Sequence, residues 1–295
     1  MNETDSTART ARAGTPPVNA TVHVRGARLA YSDEGSGPAV VHGHGLLQSR
    51  ATERASGMFD WAPVVAAGRR LVRYDARGHG ESTGTSTPSS YTWPQLADDL
   101  LALLDQVVGP EPVSGIGCSL GTATLLHAAV REPGRFDRLV LTAPPTAWAS
   151  RAAQAELYRL AADLAQTHGY GALAEFAARS LAAAALADLP APPGHPSAPA
   201  VGEDLLPTVL RAAAASDLPA EQDLTSLDLP VLILAWAGDP GHPVSTAERL
   251  AELIAGSRLH VAESGAQLRQ WGVTTARFLA PAAASRRPAG HPAHH

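Results

Sequence analysis

The stretch that most restricts the fold is PVSGIGCSLGTATLLHAAV, residues 112–130. A short apolar run ends at Ile116, and an apolar helical pattern begins after Ser119. Gly117 and Gly121 carry no Cβ, so a strand and a helix can pass each other closely there. The pattern predicts a sharp strand-to-helix turn with Ser119 at its tip, in a strained backbone conformation.

Short β-branched runs alternate with amphipathic stretches along the chain, which indicates an α/β fold: a mostly parallel sheet covered by helices on both faces. Residues 20–25 and 28–33, joined by a tight turn at Gly26 and Ala27, predict an antiparallel hairpin. Later runs predict buried strands at 39–41, 71–74, 113–116, 139–142, 231–235 and 259–262. Helices are predicted over 93–107, 120–131, 245–254 and 266–279.

Strand patterns stop between residues 144 and 229, where Ala-rich helical stretches lead into the Pro-rich segment PAPPGHPSAPA. The sheet pattern then resumes. The α/β core is therefore predicted over 20–143 and 230–281, with 144–229 as a helical lid over one edge of the sheet. In the alternative interpretation these helices only thicken the core. Residues 1–19 and 282–295 are predicted to be disordered tails.

The charge pattern argues against nucleic acid and membranes as partners. The net charge is -5, and all 23 basic residues are arginines scattered along the chain. The absence of lysine removes Schiff-base and Ser-Lys chemistry. No apolar run is long enough for a membrane span or a signal peptide, and Cys118 has no second cysteine to pair with. We expect a soluble cytoplasmic protein with a small-molecule substrate.

Two further motifs accompany the Gly-x-Ser-x-Gly turn at residues 117–121, which we call the elbow. VVHGHG covers residues 40–45 at the third predicted strand, and YDARGHGES covers residues 74–82 at the fourth. With these motifs the chain resembles the α/β-hydrolase fold superfamily, in its lid-bearing branch with a serine elbow, over roughly residues 20–280. The resemblance implies that Ser119 is a nucleophile and that the lid covers a substrate pocket.

The resemblance also implies an oxyanion hole made of two backbone N–H groups, those of His44 and Leu120. Such donors stabilise the negative charge of a tetrahedral intermediate, at about 3 kcal/mol each. His42 is implied to be structural, with its ring hydrogen-bonded within its own loop. His79 is implied to be a structural member of its turn.

A candidate triad acid follows the strand at residues 231–235. The stretch VLILAWAGDPGHPV turns through Gly238, Asp239 and Pro240. The superfamily carries its acid at this place, and Ser119 before Asp239 is the α/β-hydrolase order. Gly-Asp-Pro is also good turn chemistry in any protein, so a purely structural Asp239 is the alternative.

The histidine that the superfamily places after the last strand is missing. Gln267 stands at that position, and an amide cannot accept a proton near neutral pH. His44 is the preferred substitute base, with its ring reaching Ser119 from the oxyanion side. His242 and Glu263 are alternatives, although the turn before His242 could hold that ring outward. A site without a competent base also stays open.

These residues are compatible with three functions. The first is a carboxyl-ester type hydrolase with an atypical triad, in which Ser119 attacks a small ester, thioester or related acyl group, helped by Asp239 and His44. The second is a ligand-binding pseudo-enzyme, and the third is a lyase or cyclase-type enzyme in the same pocket. The intact elbow favours the hydrolase, because a binding protein does not need a strained turn, whereas Gln267 favours the other two. No metal or cofactor is predicted, and the oligomeric state is left open.

Overall fold

The computed structural model describes residues 17–181 and 198–280, and its centre is one eight-stranded sheet. In chain order the strands are β1 (Val18–Val24), β2 (Ala27–Glu34), β3 (Ala39–Gly43), β4 (Arg70–Tyr74), β5 (Val113–Cys118), β6 (Phe136–Thr142), β7 (Val231–Trp236) and β8 (Arg258–Ala262). Across the sheet the order is β1-β2-β4-β3-β5-β6-β7-β8. The β1–β2 and β2–β4 pairs are antiparallel and the others parallel. The predicted α/β class is confirmed, and every predicted strand is present within a few residues.

The hairpin turn between β1 and β2 lies one residue earlier than predicted. Arg25 and Gly26 both have positive φ, 43° and 77°. A two-residue type I′ turn requires this conformation at both positions. Val24 pairs with Ala27, so Ala27 is the first residue of β2 and not a turn residue.

The helices agree with the sequence pattern where they are long. The predicted helix 266–279 is divided, because a hydrogen bond from Gln270 N to Gln267 O closes a short first helix before the second begins. Two short helices after β3 were not predicted. The set is α1 (Arg50–Ser56), α2 (Ala62–Ala66), α3 (Trp93–Val107), α4 (Leu120–Arg131), α5 (Arg151–Leu181), α6 (Leu206–Ala214), α7 (Glu221–Leu224), α8 (Val244–Leu253), α9 (Gly265–Leu268) and α10 (Trp271–Leu279). Within the described ranges, no helix has the length and apolar character needed to cross a membrane.

Helices cover both faces of the sheet at its central strands β3 to β7, whose residues are mostly buried, and neighbouring residues of each strand point to opposite sides. Val41 packs in the cluster with α3, α4 and α8, whereas Val40 packs in the cluster with α2 and α10. The second cluster contains stacked aromatic rings, with Phe59 and Trp271 at a centroid distance of 5.5 Å. The sheet is thereby fixed from both sides, and the carboxyl ends of its parallel strands meet at one edge.

A helical insertion, residues 143–230, connects β6 to β7 and contains α5, α6 and α7. Gly169, with φ 73°, interrupts α5. α5 and α6 share a third apolar cluster with Tyr91 of the core. Ala200 ties the insertion to the core, since Ala200 N donates to Leu47 O and Ala200 O accepts from Gly80 N. Residues 182–197, which include most of the Pro-rich segment, lie outside the described residues. Both predicted tails also lie outside them, except residues 17–19, where β1 begins.

Candidate active site

Ser119 lies at the turn between β5 and α4. Its φ of 50° and ψ of -103° form a strained conformation for a non-glycine residue. A Cβ on Gly117 would overlap the carbonyl of Gly121, and a Cβ on Gly121 would overlap the carbonyl of Gly43. The two elbow glycines are therefore required by close backbone contact. Ser119 N donates to Thr142 O at 3.1 Å, which fixes the turn against β6.

The hydroxyl of Ser119 contacts His242. His242 Nε2 lies 2.8 Å from Ser119 Oγ, and His242 Nδ1 lies 2.7 Å from Asp239 Oδ2. An ionised carboxylate only accepts hydrogen bonds, so Nδ1 carries the proton and Nε2 is free to accept from the serine hydroxyl. Serine, imidazole and carboxylate thus form one continuous hydrogen-bonded chain, the arrangement that activates a serine nucleophile.

The loop between β7 and α8, residues 237–243, carries both Asp239 and His242; we call it the acid–base loop. Gly241 N donates to Asp239 Oδ1 at 2.8 Å, and His242 N donates to Asp239 O at 3.2 Å. Thr146 N, at the start of the helical insertion, donates to Gly241 O at 3.2 Å. The turn after Asp239 therefore directs His242 toward Ser119, contrary to the expectation that it could hold the ring outward.

The surroundings of Asp239 favour its charged form. Burial acts to raise its pKa, but the hydrogen bond and charge of His242, together with backbone N–H groups of Gly241 and His242, outweigh burial. The net result is a pKa below the ordinary aspartate value. The carboxylate is therefore available to orient the imidazole near neutral pH.

Comparison with known proteins agrees with the fold. The family model described as alpha/beta hydrolase fold matches residues 38–271. The chain belongs to the α/β-hydrolase fold family.

Individual family members show the same likeness over most of the chain. The chain is 30% identical over 199 residues to 3-oxoadipate enol-lactonase 2 of Acinetobacter baylyi, covering 66% of this chain and 70% of that protein. It is 31% identical over 220 residues to the putative carbamate hydrolase RutD of Caulobacter sp., covering 71% of this chain and 79% of that protein. The enol-lactonase from Burkholderia xenovorans LB400 has the same fold, with a TM-score of 0.72 at 24% identity over 89% of this chain and 100% of that one. The relatives named here are hydrolases, and their likeness supports hydrolase chemistry in this α/β-hydrolase chain.

The ring of His44 contacts Gly45 and Ala76 rather than Ser119. Its Nδ1 lies 2.8 Å from Gly45 O, and its Nε2 accepts from Ala76 N at 3.0 Å. Burial is the largest influence on this imidazole and lowers its pKa. Because both ring nitrogens are engaged within the core, the predicted contact between the His44 ring and Ser119 is wrong, and His242 makes that contact instead. The backbone of His44 does lie beside the elbow, since His44 O accepts from Gly121 N at 3.1 Å.

Gln267 and Glu263, which follow β8 where the resemblance implies a histidine, contact each other. Gln267 Oε1 accepts from Glu263 N at 2.6 Å, and both residues are exposed. Neither has a described contact with Ser119. The alternative base that the sequence offered in Glu263 is therefore not brought to the nucleophile.

The ring of His42 has a different partner from the one implied. Its Nε2 lies 3.2 Å from Glu53 Oε1, and both side chains are almost fully buried. Burial raises the pKa of Glu53, but the charges of His42 and Arg73 and contact with His42 outweigh it and lower that pKa to about 2. Glu53 also lies 3.4 Å from Arg73, so this buried group joins the end of β3 to α1 and β4. Glu53 could not be identified from the sequence, because its partners His42 and Arg73 are distant along the chain.

Proposed function

We propose that this protein is a serine hydrolase of small esters and lactones, with His242 as a displaced general base. The observation that carries the proposal is the pair of contacts made by one ring: 2.8 Å to Ser119 Oγ and 2.7 Å to Asp239 Oδ2. A base must lie within hydrogen-bond reach of the proton it takes, and His242 meets that condition without rearrangement. The intact triad chemistry favours turnover over a pseudo-enzyme, although the histidine comes from an unusual place.

In the proposed reaction Ser119 Oγ attacks the carbonyl carbon while its proton passes to His242 Nε2. Asp239 holds the imidazole and stabilises the imidazolium that forms. The tetrahedral intermediate then collapses, and His242 returns the proton to the leaving alkoxide. Water, deprotonated by His242, finally hydrolyses the acyl-enzyme and releases the acid and free Ser119.

Two backbone N–H groups are proposed to bind the oxyanion, as the family resemblance implies. Leu120 is the first residue of α4, so its N–H has no partner within the helix. The backbone of His44 lies beside the elbow, because the carbonyl oxygen of His44 accepts a hydrogen bond from Gly121 N. Donors fixed in advance stabilise developing charge without reorganisation, which is the main source of rate acceleration in such sites.

The substrate class is proposed from the relatives and from the helical insertion. One relative is named an enol-lactonase, and a lactone is a cyclic ester that the same steps would open. The insertion contacts the acid–base loop through Thr146 and Gly241, so we place it as the lid of the substrate pocket. A pocket beneath such a lid suits a small molecule.

The proposal is tested by hydrolysis of short 4-nitrophenyl esters and of γ- and δ-lactones by the purified protein. Wild type should release product and accumulate an acyl-enzyme whose added mass maps to the peptide containing Ser119. The variant Ser119→Ala should lose both signals and keep the same melting temperature. Binding of these compounds without turnover, by a folded wild-type protein, would instead establish a pseudo-enzyme.

A further inference from the structure

Gln48 carries a buried polar atom without a partner. It lies in the loop between β3 and α1, after His44, and its Oε1 is shielded from solvent. Among the residues that the structure describes, none donates a hydrogen bond to this oxygen. A buried amide oxygen in this state lowers stability, since it has given up its water without a replacement.

The unpartnered oxygen lies beside Gly45, the residue after His44, whose N–H is proposed to bind the oxyanion. A Cβ on Gly45 would be 2.9 Å from Gln48 Oε1 and 3.9 Å from the carbonyl oxygen of Cys118, the residue before the nucleophile. The same side of Gly45 therefore faces both the Gln48 amide and the serine turn.

The backbone around Gln48 is fixed. Gln48 N donates to Gly45 O at 3.1 Å. The preceding Leu47 has a φ of 62° and accepts from Ala200 N of the helical insertion at 2.8 Å. Backbone strain held by tertiary contacts is common at binding sites. The backbone at Gln48 is therefore held by Gly45 on one side and, through Leu47, by the helical insertion on the other.

We propose that Gln48 is a specificity residue whose side-chain carbonyl accepts a hydrogen bond from the substrate. The inference rests on the proposed function and deepens it. Because the N–H of His44 is proposed to bind the substrate carbonyl oxygen, we infer that the atoms next to that carbonyl lie close to Gly45, the following residue. The preferred class is therefore an ester or lactone with a hydroxyl or amide N–H on the carbon adjacent to that carbonyl. A substrate without the donor leaves the amide oxygen unpaired in the complex.

The test compares α-hydroxy-γ-butyrolactone with γ-butyrolactone, and ethyl 2-hydroxybutyrate with ethyl butyrate. Wild type should hydrolyse the hydroxylated member with a kcat/KM higher by about tenfold or more. Gln48→Met keeps the length but removes the acceptor, and should bring the ratio close to one. Gln48→Glu keeps an acceptor and should retain the preference. Gln270→Met, at an exposed glutamine, is the matched control and should leave the ratio unchanged.

Labelling of Ser119 by a fluorophosphonate, measured on each variant, separates the two proposals. If wild type is folded but unlabelled, the proposed function fails and the inference falls with it. If every variant is labelled but Gln48→Met keeps the wild-type ratio, or wild type shows no preference, only the inference is overturned. Should Gln48→Met not fold, Gln48→Asn withdraws the acceptor by one methylene and must lower the same ratio.

Discussion

His242 Nε2 lies 2.8 Å from Ser119 Oγ, although the two residues are 123 positions apart in the chain. Its other ring nitrogen contacts Asp239, only three residues away. The proposed acid and the proposed base therefore share one loop, whereas the resemblance implies a histidine on a separate loop after the last strand. A shift of this loop would move both groups together, so its contacts to Thr146 and to the elbow set the alignment of the whole chain of hydrogen bonds.

Asp239→Asn should reduce kcat by about 10³ to 10⁴ with little change in KM. The amide can donate to His242 Nδ1 and so favours the tautomer whose Nε2 carries the proton and cannot accept from Ser119. Asp228→Asn, at an exposed site, is the control and should behave as wild type. Steady-state ester hydrolysis checks the change, and a kcat for Asp239→Asn near that of wild type would exclude the orienting role.

Gly121→Ala should destabilise the protein by about 1–3 kcal/mol and abolish hydrolysis, because the added methyl overlaps the carbonyl of Gly43 and displaces the elbow. Gly134→Ala adds a methyl with no atom within 4 Å and should change stability by less than about 0.5 kcal/mol. Urea unfolding and ester hydrolysis measure the two effects. Equal stability of the two variants would show that the close approach at Gly121 is relaxed in solution.

Much of this architecture could be predicted from sequence because it depends on local patterns. The spacing of the apolar residues and the positions of the glycines predict β5, α4 and the elbow. The predicted bounds of α3 and α4 agree with the structure. The position of Asp239 follows from its place after β7. These features need no knowledge of distant neighbours.

The histidine that contacts Ser119, which is the proposed base, could not be predicted, because it depends on where side chains point. His44 and His242 both lie in loops near Ser119, and only tertiary contacts distinguish them. Ala76 N donates a hydrogen bond to the His44 ring. The hydrogen bonds from Gly241 N to Asp239 and from Thr146 N to Gly241 O fix the turn that directs His242 toward Ser119. The spacing of three between Asp239 and His242 was the available signal, since a tight turn can bring such a pair together.

Acid should destabilise the fold in part through His79. Burial, then the nearby His44, lowers the pKa of His79 from 6.5 to about 3. Between these values the unfolded imidazole binds a proton and the folded one does not, so the free energy of unfolding falls as pH falls, by up to about 1.4 kcal/mol per pH unit. This stability is present above pH 6.5 and is lost toward pH 3.

Urea unfolding at pH 7, 6, 5 and 4 checks the contribution of His79. His79→Gln should flatten the decline relative to wild type, whatever its effect at pH 7. His260→Gln, on the exposed side of β8, should leave the slope unchanged. Parallel declines for wild type and His79→Gln would contradict the assignment.

Restoring a histidine at the usual family position should not restore activity. Gln267→His in a His242→Gln background should stay inactive, because the Gln267 side chain is exposed and bonded to Glu263 N rather than directed at Ser119. The measurement is ester hydrolysis by the double variant beside His242→Gln alone. Recovery of activity would show that α9 moves to the nucleophile in solution.

The identity of the general base is tested most directly by the rate of fluorophosphonate labelling at Ser119, followed by intact-protein and peptide mass spectrometry at pH 7.5. His242→Gln should label more slowly than wild type by about 10² to 10⁴, the usual contribution of a general base, while His260→Gln should label at the wild-type rate. Labelling of folded His242→Gln as fast as wild type would contradict the assignment of His242 as the base that activates Ser119.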